Sequence, residues 1–209
     1  ASSNYVYVDV PISITQDGAA RSTNQIFYWE TSLNYARKFK NAHNVTAMVL
    51  FNQKQKNSGA SFPRRAQGTA GRVTYDYKGK YLLEGNLGIT GSEQFAPEYR
   101  YGVFPSWAVG YIVSKERFWK SAMPWWSTMK VRFSYGLTGY DTSASGYLYK
   151  SSYTSTDGYY KEGTAANDGA RWETAEKKDL GFEMGWFDNS LTLNVDLYDE
   201  YRYDILVAP

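Results

Sequence analysis

The sequence predicts an all-β chain, an antiparallel sheet whose strands are long enough to cross a bilayer, and three observations carry that expectation. Apolar and polar residues alternate at period two in segment after segment, each about ten residues long, as in strands with two chemically different faces. Aromatic residues make up 18% of the 209 positions, with 20 Tyr, 10 Phe and 7 Trp, and rings of this kind favour strands over helices. Short turns and long polar loops also succeed one another in strict alternation, which in antiparallel neighbours puts every long loop at one end of the sheet.

Composition removes several function classes. With no Cys and a single His, the chain has no disulfides, thiolate metal site or Cys nucleophile, and paired-His chemistry is not expected. A formal charge of +2 gives no basic footprint for nucleic acid. Residues 1–16 show no basic start, apolar run and small-residue cleavage site, so a secretory signal either has been removed or lies on a longer chain.

The elements follow in order. A first strand is expected over 5–15, a second over 25–39, a tight turn at 40–44 and a third strand over 45–54. A long loop at 56–68 leads to a strand over 69–77 and a turn at 78–80. From Tyr81 the odd positions read Tyr81, Leu83, Gly85, Leu87 and Ile89 against Glu84, Asn86 and Thr90. After a loop at 91–102 comes a strand over 103–113, and residues 114–126 hold the one stretch with room for a turn or two of helix. Met129, Val131, Phe133, Tyr135 and Leu137 then oppose Lys130, Arg132, Ser134, Gly136 and Thr138. The longest loop, 140–172, precedes a final pair joined at Asp188-Asn189. There Leu180, Phe182, Met184 and Trp186 oppose Glu183, and Leu191, Leu193, Val195 and Leu197 oppose Asp196.

Alternation alone does not choose between a dry core and a membrane. Strands of roughly 10 to 13 residues exceed the globular norm of five or six and match the 9 to 11 that a tilted crossing needs. Tyr75, Tyr77, Tyr81, Trp186 and Phe187 cluster at strand ends, where amphipathic rings form the girdles of outer-membrane barrels. Short turns at one end and long loops at the other are likewise the habit of such barrels. On that reading Arg72, Asp76, Glu84, Lys130, Arg132, Glu183 and Asp196 face a wet lumen and pair across strands. A complete small barrel with a structural or adhesive role, and a soluble β-rich module that binds sugars, stay open as alternatives.

Four ordered runs carry a resemblance: Gly71-Arg-Val-Thr-Tyr-Asp-Tyr-Lys-Gly-Lys-Tyr-Leu-Leu-Glu-Gly85, Arg100-Tyr-Gly-Val-Phe-Pro-Ser-Trp-Ala-Val-Gly110, Met129-Lys-Val-Arg-Phe-Ser-Tyr-Gly-Leu-Thr-Gly139 and Arg171-Trp-Glu-Thr-Ala-Glu-Lys-Lys-Asp-Leu-Gly181, the last continued by Phe187-Asp-Asn-Ser-Leu-Thr-Leu-Asn-Val-Asp196. Together they resemble the barrel of SusC/RagA-type TonB-dependent transporters. The resemblance implies an outer-membrane importer of Bacteroidetes-type bacteria with an amino-terminal plug and a barrel of about 22 strands. At roughly 20 residues per strand and connection, residues 1–209 would be one contiguous wall segment of about eight to ten strands. It further implies a SusD-like surface lipoprotein as partner, TonB acting through a plug that lies outside this sequence, outer-membrane lipid around the wall, and an oligosaccharide or peptide as ligand. No cofactor, metal, nucleic acid or covalent chemistry is expected. The run Gly88-Ile-Thr-Gly-Ser-Glu-Gln-Phe95 lacks the Arg and Asp of the family's Arg-x-Asp-Gly-Ser pattern, and Asn167-Asp-Gly-Ala170 stands where Asn-Pro is usual. Residues 141–169 match no run of the family, and all three departures are expected to fall in loops, so they bear on the ligand rather than on the architecture.

Other constellations read as structure. His43, in a turn between Asn41 and Asn44, has no nucleophile arranged around it. Glu173, Glu176 and Asp179 alternate with lysines as a salt-bridged strand face does rather than as a glycosidase carboxylate pair. Asn167-Asp168-Gly169 lacks regular calcium-ligand spacing, and Gly136-Leu-Thr-Gly139 lacks the glycine and helix of a phosphate cradle. The candidate binding residues are Tyr147, Tyr149, Tyr153, Tyr159, Tyr160 and Trp172 in the longest loop, set among Ser, Thr and Gly. Flat rings stack on sugar faces or peptide side chains while hydroxyls supply hydrogen bonds; alternatively the loop is an extended hairpin whose rings pack on one another or on a partner.

Overall fold

A computed structural model describes residues 24–58, 63–141, 147–156, 158–163 and 165–206. The strand expected over 5–15 lies outside them. Eight antiparallel strands form one sheet: β1 (Asn24–Phe39), β2 (His43–Ser58), β3 (Arg64–Tyr77), β4 (Tyr81–Ser92), β5 (Tyr101–Ile112), β6 (Thr128–Tyr140), β9 (Glu173–Trp186) and β10 (Leu191–Tyr203). They pair in chain order, with β6 meeting β9 directly because β7 (Tyr153–Thr156) and β8 (Tyr159–Glu162) form a separate hairpin in the longest loop. The resulting strands run from 12 to 16 residues. Between β5 and β6 sit a 3-10 turn at Val113–Lys115 and a one-and-a-half-turn helix α1 at Arg117–Ala122. No helix among the described residues is long and apolar enough to cross a membrane.

The loop expected over 56–68 is a correction. β2 continues to Ser58 and β3 begins at Arg64, with Lys56 opposite Arg64 and Gln53 opposite Gln67. Both faces are polar there, so period two vanishes from the sequence while the backbone ladder continues. His43 is likewise not in a turn: it opens β2, pairs with Phe39 and Tyr77, and its Nδ1 lies 2.8 Å from the Tyr75 hydroxyl.

The connections sort as the alternation requires. At one end the tight turns pass through left-handed backbone at Lys40 and Asn41, at Lys78 and Gly79, and at Phe187, Asp188 and Asn189. The β5–β6 connection shares that end: Lys115 Nζ donates to the Gly79 carbonyl at 2.8 Å, and the Asp188 N–H donates to Ser127 Oγ at 2.8 Å. Residues 93–100 and 141–172 connect strands at the other end.

Which face is shielded decides the environment. Along β4, burial alternates residue by residue, and the apolar positions are the exposed ones. Leu83, Leu87 and Leu197 expose 49%, 44% and 60% of their surface, whereas the Glu84 and Lys130 side chains expose 32% and 25%. In a chain folded for water the order is reversed. Nor is there a dry centre between layers: the buried apolar residues among those described are Phe95, Ala170, Trp172 and Ala175, three of which cluster at the long-loop end. A sheet that leaves its apolar rows uncovered needs hydrocarbon on that side. The ten residue steps from Leu191 to Tyr201, at about 3.3 Å each and tilted about 40°, span about 25 Å, the height of the apolar band of an outer-membrane barrel.

Paired substitutions on β10 test this assignment of faces. Leu197→Lys should destabilise the lipid-inserted protein by about 2–4 kcal/mol and Asn194→Lys, one face over, by less than about 1 kcal/mol. Urea titration of protein folded into phosphatidylcholine vesicles measures both, and equal costs would contradict the assignment.

Candidate functional site: a charged sheet face and a loop-bearing mouth

The register places all seven predicted polar positions on one face. Arg72 and Asp76 of β3 lie on the same side as Glu84 of β4, and Lys130 and Arg132 of β6 share that side with Glu183 of β9 and Asp196 of β10. The pairing expected from the sequence is present. Arg72 Nη2 donates to Glu84 at 2.8 Å and Lys130 Nζ to Glu183 at 2.9 Å. Arg132 is the hub: it reaches Asp179 at 3.4 Å, Glu183 at 3.5 Å and Asp196 on the strand beyond. Gly181 makes that reach possible, since a Cβ there would sit 2.5 Å from Arg132 Nε and 2.7 Å from Asp196 Oδ1. Asp76 serves its own turn instead, accepting the Gly79 N–H at 2.5 Å. The network is half-exposed, so each pair contributes modestly.

A double-mutant cycle of Arg132→Gln with Asp196→Asn should give a coupling of about 0.5–1 kcal/mol that shrinks between 50 mM and 500 mM salt. Gly181→Val should cost more than either single change, about 1–3 kcal/mol, because the guanidinium loses its path. Denaturant titration of wild type and the four variants reads both.

The long loops meet in a small packed base. Phe95, Ala170 and Trp172 bury one another with Phe104 against them, the Phe95 and Phe104 ring centroids lying 5.2 Å and 5.6 Å from that of Trp172. Trp172 Nε1 donates to the Arg100 carbonyl at 3.2 Å, and Gly102 and Gly139 leave the space the Phe104 ring occupies. Trp172 is therefore corrected from a ligand-stacking candidate to a structural one: at 8% exposure it presents no face to a ligand. Its place in the fold depends on residues some 70 positions away, a relation no local pattern in the sequence reveals.

The tyrosines divide. Tyr147 is part-buried, donates to the Pro63 carbonyl at 2.9 Å and stands edge-on to Tyr149, with Lys150 Nζ 4.8 Å from the Tyr147 ring centre. Burial pushes its phenol above the ordinary value. Tyr153, Tyr159 and Tyr160 are carried outward on the β7–β8 hairpin, exposed by 64%, 80% and 81%. A hairpin is thus present, and it leaves three rings uncovered rather than packed on one another.

Beside Tyr147 lies a cavity of about 170 Å³ lined by Lys54, Lys56, Arg64, Arg65, Glu93 and Asp141 among others. Arg65 pairs with Glu93 at 3.8 Å, and Asp141 accepts hydrogen bonds from Ser92 Oγ and Gln94 Nε2, each at 3.2 Å. The sequence reading missed this basic rim by treating 56–68 as loop. The signal was Lys54-Gln-Lys56, two cations on one strand face. Among the described residues no group of His, Asp and Glu could hold a metal ion. Glu173, Glu176 and the lysines after it are ion-paired as expected, but on both faces of β9: Lys177–Glu200 at 3.6 Å and Arg202–Glu173 at 3.8 Å on the charged face, and Lys178–Glu176 at 2.9 Å on the other.

Trp172→Ala should loosen the loop base, costing about 3–5 kcal/mol locally and exposing residues 141–172 to limited proteolysis, whereas Tyr159→Ala and Tyr160→Ala should leave the proteolytic pattern unchanged.

No protein-family model matches the chain. In sequence it is 35% identical over 146 residues to the TonB-dependent receptor P3 of Formosa agariphila, covering 65% of this chain and 14% of that protein. It is 27% identical over 147 residues to the TonB-dependent receptor SusC of Bacteroides thetaiotaomicron, covering 65% of this chain and 15% of the relative. In fold it superposes on a chain of the RagAB peptide transporter with a TM-score of 0.77 at 18% identity, over 88% of this chain and 24% of that one. The chain thus spans well under a quarter of the length of the curated relatives it matches. In sequence and in fold the chain is similar to part of the β-barrel of SusC/RagA-type TonB-dependent transporters.

Proposed function

We propose that this chain is a contiguous stretch of the wall of a larger outer-membrane importer, supplying strands, part of the lumen lining and loops at the outer mouth. The observation that carries the reading is the pairing of an uncovered apolar face with two open edges. Among the described residues β1 and β10 each pair on one side only and do not meet each other. In hydrocarbon an unpaired strand edge leaves N–H and C=O groups without partners, which lipid does not tolerate. Eight strands suffice for the smallest membrane barrels, yet these eight do not close. Further strands, contributed by the same polypeptide as in the relatives, complete the ladder.

In that barrel the charged face lines the water-filled lumen, and the short turns face the periplasm. The long loops and the β7–β8 hairpin stand at the outer mouth. Tyr147, Tyr149, Tyr153, Tyr159 and Tyr160, together with the Lys54, Lys56 and Arg64 rim, offer rings and cations to an oligosaccharide or oligopeptide. A SusD-like lipoprotein caps the mouth, and TonB acts on a plug elsewhere in the polypeptide. No residue of this chain is assigned a covalent step.

The test is the native polypeptide in its own membrane. The match to the Formosa agariphila receptor occupies 14% of that protein in 146 residues, so such proteins run to about a thousand residues. An antibody raised against residues 147–172 should detect a detergent-extracted band of about 100 kDa that co-purifies with a lipoprotein. A band of about 24 kDa would overturn the wall-segment reading, and release without detergent would overturn the membrane. In the intact importer, Tyr159→Ala with Tyr160→Ala should reduce ligand uptake at least fivefold while leaving the amount of protein in the membrane unchanged.

A further inference from the structure

The β5–β6 connection, residues 113–127, lies on an unexpected side of the sheet. Glu116 accepts hydrogen bonds from Lys80 Nζ at 2.8 Å and from the Tyr81 hydroxyl at 3.2 Å. The Trp126 ring lies 5.5 Å from Trp186, and Trp119 stands edge-on to Trp126 at 5.0 Å with its Nε1 donating to the Trp126 carbonyl at 3.2 Å. Tyr81 and Trp186 both belong to the apolar face: Tyr81 shares it with Leu83 and Leu87 and stacks on Tyr111 at 5.0 Å, and Trp186 is opposite Leu191. The segment therefore folds outward against the rim of the apolar face, not beneath the charged one.

Its free side combines rings and cations. Phe118 and Trp125 are exposed by 61% and 51%, and Phe187, whose N–H donates to the Trp125 carbonyl at 3.0 Å, by 62%. Arg117 and Lys120 are exposed beside them and form no ion pair among the described residues. The same end carries Lys40, Lys78 and Lys115, while Glu116 is engaged by Lys80, whose ammonium holds that carboxyl below its ordinary range. The turn end thus has a surplus of positive charge set at the level where the apolar rows stop.

We infer that this segment is a binding site for the headgroups of anionic phospholipids in the leaflet next to the short turns, with Phe118 and Trp125 seated among the headgroups and Arg117 and Lys120 on phosphate oxygens. The inference rests on the membrane reading above. The occupant follows from continuity: Trp125 stacks on Trp126 at 5.9 Å and Trp126 lies against Trp186, opposite Leu191, while Glu116 holds Tyr81 of the row Tyr81–Leu83–Leu87, so a water-soluble partner docking there would have to enter hydrocarbon. Rings with one wet and one dry edge, flanked by cations, suit the interface of an anionic leaflet. Salt bridges to phosphate do not require a shaped pocket, which matches an open surface.

The experiment uses the full-length importer, delipidated in detergent and offered phosphatidylglycerol or phosphatidylcholine at equal concentration, with bound lipid counted by native mass spectrometry. Wild type should retain phosphatidylglycerol at least fivefold over phosphatidylcholine. Arg117→Gln with Lys120→Gln should bring the two lipids to parity, while Lys161→Gln, a charge removed at the opposite end, should leave the preference intact. Both target side chains are exposed, and folding of each variant is confirmed by heat-modifiable migration. An unchanged preference in the double variant, or equal retention of both lipids by wild type, would overturn the inference. Failure of wild type to enter lipid vesicles as a folded species would instead overturn the membrane reading beneath it.

Discussion

Hydrocarbon offers no hydrogen-bond partner to a peptide group, and much of this chain's design follows from that constraint. The strands must be long enough to reach water at both ends, so they run to 16 residues. Every interior strand is paired on both sides, nearly end to end except where β5 meets β6 over Ser106–Ile112 alone. Side chains facing lipid are then free to be apolar and uncovered, since their rows need no packed partner from this chain. The polar groups collect on the other face, where they satisfy one another.

The charged face shows what replaces a core. A dry interior is held by shape, and removing volume costs several kcal/mol per site. Here adjacent strands are tied by the backbone ladder and by cross-strand ion pairs such as Arg72–Glu84 and Lys130–Glu183. Arg132 extends this by spanning β9 to reach β10 over Gly181, so three strands are joined by one side chain. Such pairs are individually weak in water and leave the face wettable. True packing is confined to the loop base around Trp172, where no lipid and no ladder can fix the geometry.

Legibility in the sequence tracks the solvent boundary. Inside the apolar band, β4 and β10 were readable to within a few residues because one face is greasy and the other wet. Beyond the band both faces meet water, and the alternation disappears although the strand does not. Lys56 and residues 64–67 look like a loop, yet 64–67 pair residue for residue with 53–56, and Tyr198 to Tyr203 extend β10 past the last leucine in the same way. The seven charged positions share one face, which parity alone sets. Trp172 was misjudged because its burial comes from Phe95 and Phe104, residues joined to it only through tertiary structure.

That boundary also separates what architecture constrains from what it leaves free. Within the band, a lipid-facing position must be apolar and a ladder position must hydrogen-bond, so chains related at only 18% identity can share the same sheet. Above the band neither requirement holds, and the longest connection can carry a hairpin, exposed tyrosines and a basic rim without disturbing the strands beneath. Specificity is therefore expected to reside where the physics of the bilayer makes no demand. The packed base of Trp172, Phe95 and Phe104 is the joint between the two regimes, rigid enough to aim the loops and set far enough from lipid to vary with them.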